Sequence, residues 1–233
     1  IQGPSPGYKW WAVEDLVHHA NEVVPHLIAI LDAVLDGARD EDDLGPLYAL
    51  SLLAHLGVRE AHPTLLALAR LDDDDFEWVF GDYLTEQFDA ALLRTSGGEL
   101  EGIRKLLCDR KADGYIRSHA ADALAVATVL GQAKREEVLA LLVSQLHPDA
   151  ARDPTSYFWS GVGTTILDMC GVECEEELIR ACETKLIDPM HFDAEYAREV
   201  LHEERERFPS RCEELATTQD VHRWLGWWAC FHK

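Results

Sequence analysis

No uninterrupted apolar run in the sequence approaches the roughly 18 residues a membrane helix needs, although 47% of the 233 residues are hydrophobic. A membrane span is therefore not expected. Cysteine is sparse, with six residues and no C-x-x-C pair; that excludes a disulfide scaffold, and reduced thiols on apolar helical positions act as small hydrophobes. Positive charge is scarce too. The 21 Lys and Arg face 43 Asp and Glu, a net charge of -22, and such a field repels phosphate backbones. Bulk nucleic-acid binding is disfavoured. The chain opens IQGPSPGYKWW, without the basic start and apolar core of a signal peptide, which reads as a processing boundary and favours the cytoplasm.

Catalytic signatures are missing as well. There is no HExxH and no G-x-S-x-G, and GVGTT at residues 161–165 lacks the Gly-Lys-Ser/Thr ending of a phosphate loop. Its small residues are expected to let neighbouring helices pack. His18, Glu22 and His26 share helical spacing, but Pro25 is expected to break that helix before His26 joins it. Cys108 lies beside Asp109 and Arg110, yet its apolar neighbours Leu106 and Leu107 point to a buried thiol. No metal or cofactor is expected.

What is present is helix. Convincing strands are absent, while Ile116, Ala120, Ala123, Ala127 and Leu130, or Leu178, Cys182 and Leu186, recur at steps of three and four and put an apolar stripe on one face. A glycine follows the apolar helix end in LLAHLG (Gly57), ATVLG (Gly131) and LDMCG (Gly171), with Gly98 supplying another member, and a second helix follows each. Glycine is the residue best able to take the left-handed conformation that closes a helix. The intervals fall in the range of two-helix repeats. Asp153 with Pro154, Pro63 and Asp113 mark helix starts.

These signals predict an all-α superhelix, a HEAT-like solenoid of about five helix pairs, in one domain over residues 1–233. Residues 1–11 read as an irregular segment. Residues 189–233 read as atypical capping helices, with Trp224, Trp227 and Trp228 covering the open end and Trp10 and Trp11 doing the same at the start.

YIRSHAADALAVATVLG, residues 115–131, resembles the first helix of a HEAT-like repeat, with Arg117 and the small residues Ala120, Ala121 and Ala123. PHLIAILDAVLDG, LYALSLLAHLGVREAHPTLLALARL, FGDYLTEQFDAAL, YIRSHAADALAVA and LIDP follow in the order seen in an uncharacterised bacterial family of HEAT-like helices. The resemblance covers residues 6–200 and implies a fold without an established activity. Some members of that family carry a C-terminal zinc-binding SEC-C motif. No C-x-C followed by a later Cys-Cys or Cys-His cluster occurs near the end of this chain, so zinc does not carry over.

Candidate site residues concentrate in LDDDDFEWVFGDYLTEQ, residues 71–87. The aspartates lack the alternating ligands and glycine of a calcium loop, and read as a charged connector between a helix ending near Leu71 and one beginning near Asp82. Asp82 can cap that second helix, and Glu86 lies one turn on. Thr85 and Glu86 have no capping role, and Trp78 beside the acidic run suits a binding hot spot. Together with Arg117, these residues make Trp78, Asp82, Thr85 and Glu86 the expected partner-binding set. The expected function is non-enzymatic: a module binding a protein or peptide on its concave face, with the acidic surface pointing to a basic partner. The first rival is a metal-assisted hydrolase using Asp82 and Glu86. The second is a nucleic-acid binder, which requires Arg104, Lys105, Arg110, Lys111, Arg117, Lys134 and Arg135 to converge, since residues 101–150 hold seven basic and seven acidic side chains against five and nineteen in residues 1–100.

Overall fold

The computed structural model describes residues 7–38, 43–81, 83–153, 156–202 and 221–226. Among the described residues the chain is all-α, without a strand: α1 (Trp10–His18), α2 (Ala20–Leu35), α3 (Gly45–Leu56), α4 (His62–Leu68), α5 (Asp73–Phe80), α6 (Tyr83–Ser96), α7 (Glu101–Cys108), α8 (Gly114–Val129), α9 (Arg135–Gln145), α10 (Phe158–Asp168), α11 (Glu175–Glu183), α12 (Ala194–His202) and α13 (Val221–Leu225). Two compact units result, one of Ile1–Gly97 with Thr217–Lys233 and one of Gly98–Ala216.

Several local signals act as the sequence suggests. The Asp113 carboxylate accepts from the backbone N–H of Tyr115 at 2.6 Å and of Ile116 at 3.4 Å, capping α8. Pro63 sits in the first turn of α4, where its missing N–H costs nothing. Gly57 takes φ +63° and Gly131 φ +70°. At each, the next residue's N–H reaches back to close the helix, Val58 to the Leu53 carbonyl at 3.0 Å and Gln132 to that of Ala127 at 2.8 Å.

Other expectations are corrected. Gly171 has φ -74°, and Cys170 before it takes the left-handed turn at φ +49°. The glycine is needed for space instead: a Cβ there would lie 2.8 Å from Ile166 Cγ2 and 3.1 Å from Leu139 Cδ2. Pro25 does not end its helix. The break falls at His19, and Pro25 lies inside α2, where its missing N–H forgoes the bond to the Asn21 carbonyl. Helix α10 begins at Phe158, so Asp153 is not its cap; the Ser156 hydroxyl accepts from the Phe158 N–H at 3.1 Å. Pro154 lies outside the described residues. Of the irregular start expected over residues 1–11, residues 7–9 are non-helical, α1 already begins at Trp10, and residues 1–6 lie outside the described residues.

The acidic connector is itself a helix. Over Asp73–Phe80, Phe76 and Phe80 recur four residues apart and are buried, their ring centroids 4.8 Å apart, with Phe88 of α6 5.2 Å from Phe76. Burial of two phenylalanines at helical spacing outweighs the weak helix propensity of consecutive aspartates. In the same unit α2, α3, α4 and α6 share a core of Leu31, Leu50, Leu53, Leu65, Leu68 and Leu92. Helix α13 packs on α3 and buries Val221 and Leu225. Helix α13 also meets the start of the first unit through His222, whose Nδ1 lies 2.8 Å from the Tyr8 hydroxyl and whose Nε2 lies 2.7 Å from Glu14 Oε1.

In the second unit α8 is flanked by α7, α9 and α10, which is why almost its whole circumference from Ile116 to Ala127 is buried. Helices α8 and α10 run parallel. Gly114 faces Phe158, Ser118 faces Gly161, and the Thr165 hydroxyl donates to Asp122 Oδ1 at 2.7 Å across 43 residues of sequence. In the first unit the carboxyl ends of α3 and α6 meet in a similar offset, where Arg94 Nε donates to the Ala54 carbonyl at 2.8 Å across 40 residues.

Candidate functional site

Arg117 stands in the second turn of α8, on a helix buried nearly all round, so its side chain has no route to water. It is 1% exposed. Its Nε donates to the Leu107 carbonyl at 2.8 Å, its Nη2 reaches Gln145 Oε1 at 3.4 Å, and the guanidinium carbon lies 3.6 Å from the centre of the Phe158 ring. Among the described residues no carboxylate forms an ion pair with it. Burial without a paired anion pulls the guanidinium down to about 10. This geometry gives Arg117 a structural task, joining α7, α9 and α10 around α8, rather than the partner contact expected from the sequence.

Gln145 links Arg117 to a thiol, its Nε2 donating to Cys108 Sγ at 3.7 Å. Cys108 is exposed, not buried as its apolar neighbours suggest, because it is the last residue of α7 and points away from the Leu106–Leu107 face. Partial desolvation pushes its thiol up all the same, which works against a reactive thiolate.

Trp78 is 57% exposed on α5. Thr85 and Glu86 fall in the first turn of α6, though their side chains, like all of Asp82, lie outside the described residues. Trp78, Thr85 and Glu86 belong to the first unit and Arg117 to the second. Among the described residues no group of three or more His, Cys, Asp or Glu could hold a metal ion. Trp10 and Trp11 are exposed rather than folded over an open end, and Trp227 and Trp228 lie outside the described residues.

The basic residues that the nucleic-acid rival requires do not all converge. Arg110 and Lys111 precede α8 while Lys134 and Arg135 follow it, and 16 helical residues separate the two groups by about 24 Å. Lys105 pairs with Glu101, Lys134 with Glu137 and Arg135 with Glu173. Arg135 also donates to the carbonyls of Met169 and Cys170, both at 2.9 Å, closing the end of α10.

Sequence reasoning missed two constellations. One is the Glu14–His222–Tyr8 chain already described, which joins residues over 200 positions apart. The other is a ring stack on the second unit: Tyr115 and Tyr157 lie face to face at 4.4 Å and 9°, and His191 meets Tyr157 edge-on at 4.9 Å. A tyrosine at the start of each of two helices whose neighbouring turns recur at a similar interval was the available signal.

One histidine gives the first unit a pH response. His62 Nδ1 lies 3.0 Å from the Thr95 hydroxyl, which donates to the Ala91 carbonyl at 2.8 Å. That assigns the imidazole proton to Nδ1 and leaves Nε2 buried without a partner. Burial lowers the His62 pKa from its ordinary 6.5. The unfolded chain then takes up the proton more readily than the folded one, so stability is fully present above pH 6.5 and falls as pH drops through it toward the lower folded value. Thermal melts from pH 8 to pH 5 should show this loss, and His62→Gln should flatten the slope. An unchanged slope in the variant would remove His62 as its source.

The match to known proteins is to a family model described as "Protein of unknown function (DUF1186)", over residues 8–232. An uncharacterized protein of Chlamydia muridarum is 24% identical over 224 residues, covering 92% of this chain and 89% of that protein. An uncharacterized protein of Chlamydia trachomatis is 24% identical over 197 residues, covering 83% and 78%. No solved structure matches significantly. With its match running from the buried Tyr8 through α13, the chain belongs to the DUF1186 family of uncharacterised bacterial proteins.

Proposed function

We propose that the chain is a non-catalytic interaction module that binds a protein or peptide partner carrying positive charge, with Trp78 at the contact. The observation that carries this is the way α5 is pinned. Phe76 and Phe80 are buried, so the helix cannot rotate to hide Trp78, and a large ring is left in water on a rigid element. Asp75, one helical turn before it, and Asp72 are also exposed. An indole beside carboxylates suits a Lys or Arg side chain, which gains both the ring face and the opposite charge. The same reading takes the helices as HEAT-like pairs recurring at about forty residues, supported by the offsets of 40 and 43 between neighbouring helices. It places the protein in the cytoplasm; no helix among the described residues is long and apolar enough to cross a membrane.

The test is a titration of labelled Arg/Lys-rich and Asp/Glu-rich peptides against the whole protein, followed by anisotropy. The basic peptide should bind, and Trp78→Ala should weaken it about thirtyfold, the size of a hot-spot truncation, with the melting temperature unchanged. Equal binding of both peptides, or full affinity in Trp78→Ala, would sink the proposal.

A further inference from the structure

The net charge of -22 makes any unpaired cluster of cations informative. On the second unit three such cations gather at the edge where α8 and α10 begin. Arg110, Lys111 and Arg152 are exposed, and Arg152 Nη1 reaches the Lys111 carbonyl at 3.5 Å, tying the loop before α10 to the loop before α8. Among the described residues no carboxylate forms an ion pair with any of the three, whereas Lys105, Lys134, Arg135 and Arg198 in the same unit each have a glutamate. The nearest acids on α8's side are already engaged: Asp109 Oδ1 accepts from the Lys111 N–H at 3.1 Å, and Asp113 caps α8. Asp109 and Asp113 keep their negative charge while accepting from backbone N–H groups, and Asp153 is exposed beside Arg152 in the chain, so the three acids balance the three cations locally. What the edge offers a phosphate is cation donors outside any ion pair among the described residues rather than a net positive charge.

The ring stack rises from the same edge. Tyr115 is in the first turn of α8 and 42% exposed, with Tyr157 behind it at 4.4 Å and His191 beyond. The stack is held from below. Gly114 and Gly161 leave no Cβ where Ser156 and the Tyr157 ring lie, and the Ser160 hydroxyl accepts from the Asp188 N–H at 3.2 Å, fixing the loop that carries His191. An exposed tyrosine with cations that form no ion pair among the described residues, on two adjoining loops, matches a ligand that alternates flat rings with phosphates.

We propose that this edge binds single-stranded nucleic acid, with an unpaired base stacked on Tyr115 and the backbone phosphates met by Arg110, Lys111 and Arg152. A single strand fits better than a duplex, whose bases are already stacked on one another. It fits better than a lone nucleotide, since Tyr115 is 42% exposed and the cations are spread over two loops rather than gathered around one phosphate. This interaction is independent of the peptide contact at Trp78, and the acidic remainder of the protein keeps it weak, in about the 1–100 µM range at low salt.

Anisotropy of fluorescein-labelled oligothymidylate of about 15 nucleotides with the whole protein at low salt tests it. Binding should fall steeply with salt. Tyr115→Ala should weaken it about tenfold, the worth of one stacked base, while Tyr115→Phe keeps the ring and the affinity. Lys111→Ala with Arg152→Ala, both at exposed positions, should weaken binding and reduce the salt slope by about 1.4, two contacts at the single-strand value, which keeps the test sound if Tyr115→Ala is poorly folded. No anisotropy change with the wild type overturns the proposal. So does equal competition by a duplex of the same length, which would leave charge alone at work, or displacement of the strand by a mononucleotide at matching concentration.

Discussion

Arg117→Ala will lower the urea midpoint of the second unit by an amount equivalent to about 3 kcal/mol, whereas Arg117→Met will cost under about 1 kcal/mol or stabilise. The difference follows from what each variant leaves behind. Alanine strands the Leu107 carbonyl that now accepts from Nε at 2.8 Å, removes the cation from the Phe158 ring, and opens a void among α7, α8 and α10 that close-packed helices fill only partly. Methionine also loses the hydrogen bond, but it fills the volume and lies over the same ring. It also removes a desolvated charge that no carboxylate among the described residues pairs with directly and that Asp109 and Asp113 only partly offset, in a guanidinium lowered to about 10. Equilibrium unfolding with the slope held in view separates a true stability change from a change in the denatured state. If methionine costs as much as alanine, the guanidinium is making a bond worth more than its desolvation.

How far the sequence reveals this protein depends on distance along the chain. Helix periodicity, the Asp113 cap and the glycine turns at Gly57 and Gly131 are decided within a few residues, and the structure has them where the spacing puts them. Helix α5 is the instructive failure. Its four consecutive acids dominate a local reading, but Phe76 and Phe80 meet Phe88, a partner visible only once α6 packs against them. Arg117 fails for the converse reason. A lone arginine on a helix reads as solvent-facing, and its inward turn depends on the Leu107 carbonyl and the Phe158 ring, ten and forty-one positions away. The site residues around Asp82 are singled out by residue type, a helix-start position and one-turn spacing, and such local signals say little about which side chains from elsewhere in the fold face them. The Tyr115–Tyr157 stack is the opposite case, a geometry with no composition signal, because two tyrosines in a chain with six attract no notice until parallel helices bring their first turns together.

That parallel packing makes Gly161 the position with the second-largest expected effect, and the sign of the effect is not what helix propensity suggests. Alanine is favoured over glycine inside a helix by about 1 kcal/mol, and Gly161 lies within α10, so Gly161→Ala on a solvated helix would stabilise. Here a Cβ would lie 2.4 Å from Ser118 Cβ and 3.0 Å from Tyr157 Cε1, and neither can yield cheaply. Ser118 is on the buried face of α8, and the Tyr157 ring is held by Tyr115. The helices must separate, stretching the 2.7 Å bond between Thr165 and Asp122 one turn along. Overpacking of this kind costs about 1–3 kcal/mol, and with the propensity gain subtracted we expect a net loss of about 2 kcal/mol, since the clash is near the severe end. Ser118→Gly in the same chain removes the opposing Cβ and should recover most of the loss, less the roughly 1 kcal/mol that a second helical glycine costs. Urea unfolding of the two single variants and the double variant decides the matter: additive losses would show that α8 and α10 do not touch at this point, while recovery in the double variant establishes the close approach on which the tyrosine stack is built.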